Sequence, residues 1–234
     1  MSIAENLNVV RARIAAACVA AGRDPATVQL LAVSKTHSAD AIRSAYQVGQ
    51  HSFGENYLQE ALRKQRELAD LAIEWHYIGA IQSNKIRELA QHFSWVHGVA
   101  STKIAQRLSQ QRLRSQAPLN VCIQVNVSGE ISKSGCEPHE VLELASYIGK
   151  LPNIQLKGLM CIPHAEHPEG EFALLRNLLK QVQDTCPNAQ VAGCSTPWIE
   201  PSVLSMGMSA DLEVAVAQGS HLVRIGSAIF GLRK

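Results

Sequence analysis

Apolar positions along this chain recur with two different periods. Runs such as 28–35 (VQLLAVSK), 119–127 (LNVCIQVNV) and 154–162 (IQLKGLMCI) are almost continuously aliphatic, the pattern of strands covered on both faces in a parallel sheet. Further strand candidates are 50–54, 73–79, 95–99, 203–207 and 221–226, with 50–54 and 95–99 the weakest of the set. Between them apolar residues return every three to four positions over 38–48, 56–71, 83–92, 101–114, 137–150, 169–185 and 210–218, which predicts amphipathic helices. Another helix over about 3–21 precedes the first strand. Eight strands alternating with helices favour a single α/β domain, a (β/α)8 TIM barrel spanning 1–234 with an extra N-terminal helix, over an open doubly wound sheet. Charged stretches such as 62–68 (LRKQREL) read as solvated helix surface. The one long irregular stretch, 186–202, is rich in Pro, Gly and Ser and reads as a surface loop or a lid.

Composition narrows this picture. The chain has 234 residues, 46% hydrophobic and 18% charged, and a formal net charge of +2. Its basic residues are scattered, so neither nucleic acid nor an anionic membrane is an expected partner. Six cysteines show no CxxC pair and no metal-ligand spacing, and several sit in apolar runs. They read as reduced core thiols of a cytosolic protein. The first 23 residues are amphipathic with dispersed charge, unlike a signal peptide or a membrane span.

In a barrel of this kind the chemistry gathers at the C-terminal ends of the strands. Strand 1 would end there on Lys35, strand 2 would run into FGENY with Asn56 at the mouth, and strand 8 would carry Arg224 with Gly226 and Ser227 at its exit. Gly207 and Gly226 permit close backbone approach to a ligand, Ser209 and Ser227 add hydroxyls, and Ser209 reads as the N-cap of helix 210–218. Such a helix start suits a phosphate, as do loops after strands 7 and 8. A lysine at a barrel mouth is partly desolvated, which favours the free amine, and a free amine condenses with an aldehyde. An aldehyde carrying a phosphate satisfies both features, and pyridoxal phosphate is the commonest such cofactor. Arg224 inside a strand needs a partner, which a pyridine nitrogen supplies. Guanidinium keeps its proton, so that ring would be a weak electron sink. Each residue also has a plain structural reading as an ion-paired lysine, a cap, a turn or a structural arginine; their convergence on one mouth favours the ligand. Lys133, in the polar SKSG segment, reads equally as a guide for a ligand or an ordinary loop lysine. Tyr57 reads as packing at a helix start. His76, His97 and His221 read as hydrogen-bonded core residues rather than metal ligands.

The segments LLAVSKT, FGENYLQE, WHYIGAIQSNK, SKSG, GLMCIP, LSMGMSADLEVAVAQGS and VRIGSAIFG together resemble the YggS/PROSC family of pyridoxal phosphate homeostasis proteins, over about residues 5–231. The resemblance implies the barrel domain of alanine racemase standing alone, in a cytosolic protein that affects vitamin B6 and amino-acid balance. It implies Lys35 as the Schiff-base lysine of pyridoxal 5'-phosphate (PLP) with Asn56 beside it. Ser209, Gly226 and Ser227 would hold the phosphate and Arg224 would face the pyridine nitrogen. No catalytic residue follows, since the racemase's opposing tyrosine belongs to a β domain with no counterpart here. Three functions stay open: a PLP carrier with PLP-dependent apo-enzymes as recipients, a low-efficiency PLP-dependent racemase, and a cofactor-free Schiff-base aldolase. Without that β domain a monomer is expected. The stretch 186–202 is longer than the family pattern suggests.

Overall fold

A computed structural model describes residues 2–130, 133–185 and 202–231. The chain opens with α1 (Ile3–Ala20), whose start is fixed by reciprocal capping. Ser2 Oγ accepts from the Glu5 amide, and Glu5 Oε2 accepts from the Ser2 amide. Its buried residues Leu7, Val10, Ile14, Ala17 and Cys18 follow helical spacing. Strands and helices then alternate as β1 (Gln29–Val33), α2 (Ala39–Gln47), β2 (Ser52–Glu55), α3 (Leu58–Glu67), β3 (Glu74–Tyr77), α4 (Ile86–His92), β4 (Trp95–Val99) and α5 (Thr102–Gln111). They continue as β5 (Leu119–Gln124), α6 (Val141–Ile148), β6 (Ile154–Met160), α7 (Pro168–Thr185), β7 (Val203–Ser205), α8 (Leu212–Ala217), β8 (Leu222–Ile225) and α9 (Ser227–Phe230).

The eight strands pair in parallel, each with its successor, and β8 closes on β1 with Leu31 opposite Arg224. The expected (β/α)8 barrel with an extra leading helix is therefore observed, including the two weakest strands. Most strands are shorter than the apolar runs that announced them. The short helix α9 directly after β8 has no counterpart in the periodicity. The expectation for 186–202, apart from Ser202, lies outside the described residues.

Apolar residues between sheet and helices form one continuous cluster, including Phe53, Leu89, Leu108, Val121, Phe172 and Val223. The barrel interior is different. His97 of β4 hydrogen-bonds Ser205 of β7, and those strands are three apart in the wall, so the contact crosses the lumen. Several buried polar residues, His76, His97, Ser205 and Arg224 among them, share this space. Helix α1 lies outside the barrel against α2, α8 and α9. Asn6 Nδ2 donates to the Ile229 carbonyl, tying α1 to α9, and Arg23 Nη1, just beyond α1, donates to that of Val216 in α8.

Candidate functional site

A cavity of about 320 Å³ opens at the C-terminal end of the barrel. Lys35, Asn56, Ser209, Arg224, Gly226 and Ser227, the six residues singled out in the sequence, all line it. Its apolar wall comprises Val33, Ile78, Met160, Ile162 and Met208, and His37 completes one side. Ile162 and Met208 are more than a third exposed, so the cavity is an open, apolar-walled slot with polar ends.

The lysine end is braced by a network that sequence reasoning missed. Ser34, buried beside Lys35, donates from Oγ to Glu55 Oε1 at 2.6 Å. Lys64 of α3 is 1% exposed. Its ammonium lies 2.7 Å from Glu55 Oε1 and 2.6 Å from Glu60 Oε1, and it donates to the Ser34 carbonyl at 2.7 Å. Glu60 Oε1 also accepts from the amide of Thr36, which follows Lys35 and holds a left-handed φ of 68°. A β-branched residue seldom rests in that region unless its surroundings impose it. Lys64, Glu55 and Glu60 thus clamp the backbone on both sides of Lys35. Burial pushes the Glu55 carboxyl up, against the opposing pull of Lys64 and Ser34. The reading of LRKQREL as solvated surface is overturned at Lys64. An unpaired carboxylate in the buried strand β2 needs a cation, and that requirement was the available signal.

Arg224 is 5% exposed and forms no ion pair among the described residues; its partners are neutral oxygens. Nη1 donates to the Ser205 carbonyl at 2.5 Å and to Ser205 Oγ at 2.9 Å, while Nη2 donates to the Cys161 carbonyl at 2.8 Å. These bonds hold the planar group at the cavity wall and leave guanidinium N–H capacity to spare. Asn56 Oδ1 is buried at the same wall with no hydrogen-bond partner among the described residues. A buried orphan at a cavity wall is one that a ligand donor satisfies.

The loops after β7 and β8 bring Ser209, Gly226 and Ser227 together, with two corrections. Helix α8 begins at Leu212 with Asp211 as its N-cap residue, so Ser209 lies in the preceding turn and is not the cap. Asp211 Oδ1 instead accepts from the Met208 amide. Gly207 does not line the cavity; its φ is +96°, and an added Cβ would lie 2.5 Å from Ala215 Cβ, so its absence lets α8 seat. Gly226 does line it, with room for a Cβ limited by the Val33 carbonyl at 3.0 Å. Arg13 of α1 anchors this corner, its guanidinium forking onto both Glu213 oxygens at 2.8 Å and reaching the Ser209 carbonyl at 3.1 Å.

Other candidates fall outside the cavity. Lys133 pairs with Glu130 at 2.7 Å. Tyr57 is 53% exposed at the start of α3, which corrects its expected packing role. His76 and His97 are buried and hydrogen-bonded as expected, and His221 Nδ1 accepts from the Leu204 amide. Among the described residues no cluster of three or more metal-ligating side chains forms. Cys18, Cys122, Cys136 and Cys161 are buried free thiols; burial pushes the last three up to about 12. No helix of the described residues is long and apolar enough to cross a membrane.

The alanine racemase N-terminal domain family model matches residues 2–234. A pyridoxal phosphate homeostasis protein of Pseudomonas aeruginosa is 55% identical over 238 residues, spanning 99% of this chain and 96% of its own. The chain belongs to this family. Its relative of the same name in Escherichia coli K12 is 46% identical, over 99% of this chain and 97% of that one. Among solved structures, PipY of Synechococcus elongatus with PLP bound superposes with a TM-score of 0.82 at 35% identity, covering 98% of this chain and all of that one. Alanine racemase of Corynebacterium glutamicum shares the fold, with a TM-score of 0.69 at 18% identity; this chain covers 60% of it.

Proposed function

We propose that this chain binds PLP in the mouth cavity and serves the intracellular balance of that cofactor, in the cytosol, as a holder rather than a strong catalyst. One observation carries the reading. An amine, an arginine and two serine hydroxyls line a single apolar-walled slot, beside an unsatisfied buried amide oxygen. That set matches an aldehyde, a ring and a phosphate held at three corners. When bound, PLP supplies an aldehyde able to condense with an amine and a ring able to withdraw electrons.

The chain's own residues then have distinct tasks. Lys35 presents Nζ from a backbone clamped by Glu55, Glu60 and Lys64. Ser209, Gly226 and Ser227 hold the phosphate through hydroxyls and backbone. Ile162 and Met208 cover apolar ring surface. Arg224 donates to the ring nitrogen and keeps its own proton, so the ring remains a poor electron sink. Lys35 would serve one face for proton transfer, and Tyr57, exposed and outside the cavity lining, does not stand where racemisation would require a base on the other. His37 lines the slot and stacks on Phe230 at 5.1 Å.

The test is trapping. Protein mixed with PLP and reduced with borohydride is expected to retain the cofactor on the peptide containing Lys35, read by mass spectrometry. Lys35→Ala is expected to abolish that adduct and lower affinity at least tenfold. No adduct with the wild-type chain overturns the reading. Incubation with L-alanine in deuterated water separates holder from racemase: slow or absent α-proton exchange is expected, and rapid exchange replaces the holder with an enzyme. Delivery of PLP to apo-enzymes, as a monomer, is part of the same proposal. It predicts reactivation faster than with an equal concentration of free PLP.

A further inference from the structure

The barrel lumen contains a continuous hydrogen-bonded chain from the cavity to the opposite end. Arg224 Nη1 meets Ser205 Oγ at 2.9 Å, and Ser205 Oγ meets His97 Nδ1 at 2.9 Å. His97 Nε2 meets His76 Nδ1 at 3.0 Å, and His76 Nε2 meets Glu74 Oε2 at 3.0 Å. Glu74 is the first residue of β3, on the barrel floor, with its side chain 40% exposed. Its other contacts are the Trp95 indole N–H on Oε1 and the Ser52 hydroxyl on Oε2.

The two ends fix how protons are arranged between them. Guanidinium only donates and an ionised carboxylate only accepts, whereas a hydroxyl and a neutral imidazole do both. Glu74 requires the hydrogen of His76 on Nε2, so His76 Nδ1 accepts. His97 must then carry its hydrogen on Nε2 and accept at Nδ1 from the Ser205 hydroxyl. Ser205 Oγ is left with its lone pairs toward Arg224. Every bond points one way. Burial supports neutral imidazoles, holding both histidines below their usual range. Bonds aligned head to tail polarise one another, making Ser205 Oγ a stronger acceptor for the guanidinium than an isolated hydroxyl.

We propose that Glu74 is a remote positioning residue for the mouth cavity, setting the direction of this chain and thereby the orientation in which Arg224 is held against a ligand's ring nitrogen. The last step rests on the PLP reading; the direction of the chain does not.

Glu74→Gln is nearly isosteric and tests it. The Trp95 indole can only donate, so the oxygen of the replacing amide stays on that side and its NH2 group faces His76. His76 must then accept at Nε2 and carry hydrogen on Nδ1, His97 follows, and the Ser205 hydroxyl loses its acceptor. In the protein without PLP, long-range 1H–15N correlation spectra are expected to show both histidines neutral with hydrogen on Nε2 from about pH 6 to 8. In the Glu74→Gln chain both are expected to move it to Nδ1. Hydrogen already on Nδ1 in the wild type, or no change in the variant, overturns the assigned direction. With PLP, Glu74→Gln is expected to raise Kd roughly threefold and to shift the bound cofactor's absorption maximum. Reversed tautomers with unchanged Kd and spectrum would overturn the positioning role. A wild-type chain that binds no PLP would sink the cofactor reading and leave the tautomer result standing.

Discussion

A lysine whose ammonium lies within 2.7 Å of two carboxylates, one of them fully buried, cannot be removed without stranding charge. Lys64→Met is expected to cost about 3 kcal/mol, read from urea unfolding, because Glu55 then remains buried without its cation. Adding Glu55→Gln is expected to recover part of that loss. A cost below about 1 kcal/mol for the single change would show that the clamp behind Lys35 is slack. The same residue shows where sequence reading stops. Lys35, Asn56, Arg224 and Ser227 were legible because barrel geometry directs the ends of parallel strands to one mouth. Lys64 was not, since its burial depends on Glu55 approaching from a different element, and a charged heptapeptide reads as solvated when considered alone.

At the scale of elements, the corner formed by Ser209, Gly226 and Ser227 depends on how α8 seats. Gly207 combines a φ of +96° with a distance of only 2.5 Å between an added Cβ and Ala215 Cβ. Gly207→Ala is therefore expected to cost roughly 2 kcal/mol and to weaken PLP retention by displacing the 208–211 turn. Normal retention would show that the turn adjusts independently of α8. Helix and strand periodicity located all eight strands and every longer helix. It overran strand ends because apolar residues continue into the loops that wall the cavity, as Ile162 does after β6. It missed α9, whose four residues are too few to display a period. It misplaced the cap of α8 because Ser209 and Asp211 are both good capping residues, and only the backbone selects between them.

For the whole molecule, the polar lumen gives stability a definite pH dependence. Burial holds His76 and His97 below the usual 6.5, so the unfolded chain takes up protons that the folded one refuses. Stability is accordingly lost as pH falls below about 6.5, by up to ~1.4 kcal/mol per histidine per pH unit. Glu74, held at about 2 chiefly by its hydrogen bond with His76, adds a loss that begins near its usual 4.5 and continues toward 2. Glu55 has the opposite sign, since burial raises it, and it offsets only part of the decline. Urea midpoints are expected to fall steadily from about pH 7.5 through 5.5 to 4. A flat profile over the first of these intervals would mean that the histidines are not kept neutral.

The seam between β8 and β1 has a temporal consequence. Lys35 emerges early in synthesis, whereas the groups facing it across the slot arrive almost last, and α1 waits for Ile229, 223 residues later, to receive the Asn6 amide. A ribosome-bound fragment lacking β8 therefore has Lys35 without the far wall of its cavity. On the proposed function, occupancy by the cofactor would certify that translation has run its course and the ring has shut.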